Sequence, residues 1–167
     1  MNDRPPTCEG CPAHHRDALG WVPPVSVVNP DIVVVGQGPG EQEAEFSTPF
    51  YHRAPSGSML RDWISQAEAA VGRHLKVSIG NVVQCWLPQV RLAGGLGKQS
   101  RPPTPEEMRC CWDRHTGPWL NAQSPTAPIL AVGAPATQFL LGLEGPVEHL
   151  VGVTHYQELP TLGEPPQ

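Results

Sequence analysis

The sequence predicts an α/β fold with a mostly parallel sheet, and three observations carry that expectation. Apolar, β-branched runs alternate along the chain with segments of helical spacing, the pattern of strand–helix–strand units. The first run, "IVVVG" (32–36), is apolar without interruption, as in a strand buried on both faces. The helical segments between them carry explicit start and stop residues.

Residues 1–30 are Pro-rich and aperiodic and read as an extended arm. "DIVVVGQGPGE" (31–41) is a β-branched run followed by a Gly/Pro turn, hence a strand and its exit. "SGSMLRDWISQAEAAVG" (56–72) is the clearest helix: Leu60, Trp63, Ile64, Ala67 and Val71 fall on one stripe, and Gly72 marks the stop. "KVSIGNVVQC" (76–85) is the second strand. In "PPTPEEMRCCWDRHTGPWL" (102–120) Thr104 is the N-cap, Pro105 stands at N1, and Glu107 at N3 completes a capping box. "APILAVGA" (127–134) is a third strand, and "PATQFLLG" (135–142) a short helix closed by Gly142. "HLVGVTHYQELP" (149–160) supplies a fourth strand before a Pro/Gly-rich tail.

A chain of 167 residues suffices for one domain. The arm (1–30), an α/β body (31–160) and a tail (161–167) are its expected parts, and the expected state is a monomer. Apolar residues are 39% and charged ones 16%, with 21 Pro and 17 Gly, so long turn-rich connections are expected around a real core. The net charge of -5, with two lysines against nine arginines, argues against non-specific nucleic-acid binding by the chain as a whole. One segment differs: "VRLAGGLGKQSRPP" (90–103) holds Arg91, Lys98 and Arg101 and no acid. The opening "MNDRPPTCEG" has no apolar signal region, and the longest apolar runs are strand-sized, so a cytoplasmic protein with no membrane contact is expected.

In a reducing compartment the five cysteines are ligands or buried apolar groups rather than disulfides. Cys8 and Cys11 form a Cys-x-x-Cys pair in the arm, Cys85 ends a strand, and Cys110 and Cys111 lie in the second helix. Thiolates from three such segments suit Zn²⁺ or an iron–sulfur cluster, and the spacing leaves both open beside the reading as small buried hydrophobes. The second pair is adjacent, so zinc-ribbon spacing is absent. His14, His15, His115, His149 and His155 are candidate ligands in principle, but none has a partner at i, i+4 and most read as surface residues. The turn "GQGPGE" (36–41) lacks the Lys-Ser/Thr of a P-loop and the third glycine of the dinucleotide fingerprint. Asn81 is a lone amide at the end of a Val/Ile strand, where α/β sheets bind ligands.

In order along the chain, "CEGCP", "VVVGQGPGEQEAEFSTPF", "GNVVQCWLP", "RPPTPEEMRCC" and "PILAVGAPATQFLLG" resemble the iron–sulfur, family 4 branch of the uracil-DNA glycosylase superfamily. The resemblance runs from Cys8 to about Pro160. It implies a three-layer α/β/α fold around a four-stranded, mostly parallel sheet. It implies a [4Fe–4S] cluster on Cys8, Cys11, Cys85 and Cys111, with Cys110 extra, that pins the arm, a strand end and a helix together. It implies a base pocket in which Phe50 stacks on a flipped uracil, Asn81 reads its edge, and backbone N–H groups of Gln37 and Gly38 bond a carbonyl. Gly40 lies in the same turn, and Glu43 matches the motif acid on the side of a thymine methyl. Arg91, Lys98 and Arg101 are the implied contacts to the DNA backbone. The implied partner is uracil-containing, single-stranded DNA, and the implied reaction is hydrolysis of an N-glycosidic bond in DNA repair.

Two places depart from the family's pattern. Gln37 stands where the family usually has Glu, which removes a carboxylate able to order water. The third motif, a His-Pro segment beyond the last strand, has no counterpart among these residues, and His155 does not match its histidine. The expectation is therefore a C-terminally short form. Losing such a donor costs about 2.7–4 kcal/mol of transition-state stabilisation. The alternative expectation is accordingly a catalytically impaired member that binds DNA or a replication or repair protein.

Overall fold

The computed structural model describes residues 4–15, 18–88, 100–152 and 154. Three parallel strands form the central sheet in the order β3-β2-β5: β2 is Ile32–Gly36, β3 Val77–Asn81 and β5 Ile129–Ala131. The fourth strand expected over 149–160 is not seen among the described residues. Glu148–Leu150 is a 3₁₀ turn, and 153 and 155–160 lie outside them.

The unbroken valine run explains the layers. Successive side chains of a strand point to opposite faces. Val33 and Val35 pack with Trp112, Leu120, Phe139 and Leu140 on one face, while Val34 packs with Leu60, Ile79 and Phe50 on the other. The first face is covered by α4 (Pro105–Cys111), α5 (Gly117–Asn121) and α6 (Ala134–Leu141), the second by α3 (Pro55–Val71). Only part of the α3 stripe turns inward. Leu60 is 1% exposed, whereas Trp63 and Val71 are 44% and 56% exposed.

The N-terminal arm is less extended than its prolines suggest. It contains a 3₁₀ turn (Pro6–Cys8), α1 (Pro12–His15) and β1 (Leu19–Trp21). β1 pairs antiparallel with β4 (Cys85–Trp86), forming a second, two-stranded sheet. The strand expected over 76–85 is thus two. β3 ends at Asn81; the N–H groups of Val82 and Val83 then bond the Gly36 and Gln37 carbonyls, and Cys85 passes to the other sheet.

Helix signals are honoured. Thr104 Oγ1 accepts from Glu107 N while the Glu107 carboxylate accepts from Thr104 N, and Gly72 and Gly142 close their helices with left-handed φ. Two features have no warning in periodicity. A short α2 (Glu41–Phe46) follows the glycine turn, and a π turn (Trp112–Thr116) joins α4 to α5.

Candidate functional site

Gly36 and Asn81 are partners in the parallel ladder, so the glycine turn and the amide leave the sheet at the same height. A Cβ at Gly36 would stand 2.5 Å from Asn81 Oδ1 and 2.7 Å from the Phe50 ring. Glycine is required where these two side chains converge. Asn81 is 2% exposed, and its amide nitrogen has no hydrogen-bond partner among the described residues. Leaving such a donor unmet costs about 1–3 kcal/mol, which a ligand carbonyl would offset. The Asn81 backbone is firmly held: Thr116 Oγ1 lies 3.0 Å from the Asn81 and Val82 carbonyls.

Phe50 is buried with φ +49, a left-handed conformation rare for an aromatic residue. Such a conformation costs on the order of 1–3 kcal/mol and persists only where neighbours enforce it. Here the Phe50 N–H donates to Glu43 Oε1, and the Gly40 N–H donates to Glu43 Oε2 at 2.8 Å. Gly57 of α3 backs the Phe50 and Tyr51 carbonyls, where no Cβ would fit. Burial pushes the Glu43 carboxyl above the usual range, against the pull of the two amides. Its carboxylate is thus engaged with the backbone that sets the ring, which the sequence pattern did not disclose. The half-buried Gln37 and Gly38 follow Gly36 in the same turn.

The second cluster lies on the far side of β4. Cys8, Cys11, Cys85, Cys110 and Cys111 line one small cavity with Trp21, Val83 and His115, and all five are free thiols. Cys110 is half-buried and the other four are buried. Burial first, then the neighbouring sulfurs, push the Cys85 thiol up to about 12 and Cys111 higher than its ordinary value. Cys110 is pushed up to about 11 by burial and its contact with Cys11. Burial also raises Cys8, although Arg4 and Arg114 pull the other way. Cys111 Sγ accepts the Gln84 N–H at 3.3 Å.

The four ligand candidates are therefore brought together from the arm, β4 and α4, and Cys110 joins them. Soft sulfur donors suit zinc or iron–sulfur chemistry. Among the described residues no three His, Cys, Asp or Glu side chains are grouped as ligands of one metal ion. Of the five candidate histidines, His115 is half-buried with Nε2 3.3 Å from Cys8 Sγ and its ring against Trp21. No motif pointed to it, because the contact spans 107 residues of chain.

Of the three cations expected at the DNA backbone, Arg91 and Lys98 lie outside the described residues. Arg101 makes a two-pronged ion pair with the wholly buried Glu107, both contacts at 2.8 Å. His14 and His149 are exposed, and His155 lies outside the described residues.

Residues 23–163 match the family model of the Uracil DNA glycosylase superfamily. Over 145 residues the chain is 32% identical to the type-4 uracil-DNA glycosylase of Thermotoga maritima, covering 84% of this chain and 64% of that protein. Over 138 residues it is 32% identical to the type-4 uracil-DNA glycosylase of Archaeoglobus fulgidus, covering 82% of this chain and 60% of that protein. The chain spans less than two thirds of the length of either relative. With most of its length inside the family model, and the glycine turn, Asn81 and Phe50 set at one end of a parallel sheet, the chain belongs to the uracil-DNA glycosylase superfamily.

Proposed function

We propose that the chain is an iron–sulfur uracil-DNA glycosylase that hydrolyses the N-glycosidic bond of a uracil flipped out of DNA, as in base excision repair. One observation carries the reading: the buried Asn81 amide nitrogen that meets no acceptor, beside the Phe50 ring and the glycine turn. Uracil offers this NH₂ a carbonyl, whereas cytosine offers an amine, so the amide favours uracil by hydrogen bonding. Stacking on Phe50 holds the base that has left the helix stack.

Bond cleavage at the sugar carbon leaves negative charge on the base carbonyls. Backbone N–H groups of Gln37 and Gly38 are assigned to the carbonyl that gains it, because preorganised donors act where charge develops. The Gly36 and Gln37 carbonyls are engaged by the Val82 and Val83 N–H groups. Glu43 positions Phe50 and Gly40 rather than reacting.

Cys8, Cys11, Cys85 and Cys111 are assigned to a [4Fe–4S] cluster. These four cysteines line one small cavity, and four thiolates are what such a cluster takes. When bound, the cluster supplies a structural pin. The DNA backbone is assigned to the segment of Arg91 and Lys98, with Arg101 anchoring its end through Glu107.

The test is single-turnover excision by iron-loaded protein in excess over uracil-containing single-stranded DNA, with Asn81→Ala alongside. Excision by the parent and loss of about 10²-fold or more in Asn81→Ala is expected, with the unfolding temperature kept. Equal rates in the two proteins, or none in the iron-loaded parent, would overturn the assignment.

A further inference from the structure

The π turn does more than join two helices. Arg114 and His115 are consecutive residues of that turn, and both reach the segment around Cys8. Arg114 Nη1 donates to the carbonyls of Thr7 and Glu9, at 2.8 and 2.6 Å, on either side of the cysteine. His115 Nε2 lies 3.3 Å from Cys8 Sγ. Its ring is fixed edge-on by Trp21, centroid to centroid 4.6 Å, so the nitrogen cannot swing away freely. Thr116, next in the turn, bonds the strand end carrying Asn81. A π turn inserts one residue into a helix and re-aims those beside it, and such insertions gather at functional sites.

We infer that His115 is a positioning residue for a metal centre on Cys8: its Nε2–H donates to the Cys8 sulfur, while Arg114 holds the carbonyls flanking that cysteine. The inference rests on the cluster assignment above but on nothing about DNA. A thiolate ligand carries charge that an N–H···S bond disperses, and such hydrogen bonds tune the stability and potential of iron–sulfur centres. Cys8 sits on a three-residue 3₁₀ turn with no longer element of its own to hold it. Cys85 and Cys111, by contrast, belong to β4 and α4.

The experiment compares the parent, His115→Phe and His115→Gln, all full chain and loaded with iron anaerobically. Phenylalanine keeps a ring against Trp21 and removes the donor, whereas glutamine restores an N–H. Iron content at the start, iron release to a chelator, and the midpoint potential are read. His115→Phe should load iron fully, then release it about 10-fold faster or more, with a lowered potential. His115→Gln should return most of both values towards the parent. Unchanged release and potential in His115→Phe would overturn the inference. So would failure of either variant to load iron at all, since His115 would then be a ligand or a packing residue. A parent that binds no iron would overturn the cluster assignment itself, whatever its excision rate.

Discussion

Glu43 beside Phe50 and Cys85 in the thiol cavity are both buried acids whose neutral form burial favours. Glu43 is answered by the protein: two backbone N–H groups converge on its oxygens, and in return it fixes Gly40 and Phe50. At Cys85 burial dominates; Arg4 pulls the thiol down, while Cys8 and Cys11 push it further up. One region is finished by its own backbone, within residues 36–57 plus Asn81. The other gathers groups from three distant segments. The lesson is that the turn around Phe50 is preorganised by backbone amides, whereas the thiol cavity is built from side chains of distant segments.

The sharpest way to break this contrast is Cys85→Ala. It should abolish iron loading and visible colour and leave poorly soluble protein, while Cys110→Ala keeps iron and colour. Metal analysis with an absorbance spectrum decides both. Iron retained by Cys85→Ala would remove that thiol from the ligand set.

Next in size is Glu43→Ala. It strands the Gly40 and Phe50 amides and releases the left-handed turn, at a cost of roughly 2–4 kcal/mol from two unmet donors. Iron content should not change, because the carboxylate lies at the other site. Denaturant unfolding and metal analysis of one preparation test both halves.

The smallest effect is a pH dependence. The Glu43 carboxyl is raised in the folded protein, so the native state holds its proton more tightly than the unfolded chain does. Its contribution is present below the ordinary glutamate value of about 4.3 and fades as pH rises through the folded value. Glu43→Gln should therefore lose less stability than the parent across that rise. Parallel pH–stability curves would show that the carboxyl is not shifted.

Legibility differed between the two regions for the same physical reason. The strand of Val33 to Val35, the Thr104 capping box and the Gly72 stop are local signals, and each lies where its pattern put it. The turn with Gly36, Asn81 and Phe50 was readable because strand ends and tight turns leave short motifs. α2 was not, since a six-residue helix shows too little periodicity. The break after Asn81 escaped notice because "VVQC" keeps strand composition while changing sheets. His115 was not singled out because nothing within a few residues of it reports a cysteine at the other end of the chain.

The unpartnered side-chain nitrogen of Asn81 also bears on how such a protein can change over generations. The group assigned to choosing the base contributes no hydrogen bond through that nitrogen to the fold, and the Thr116 hydroxyl holds the same residue by its main chain. A change at position 81 that keeps volume and neutrality spares the main-chain bonds from Thr116, whereas at Gly36 or Gly57 the first substitution collides with its neighbours.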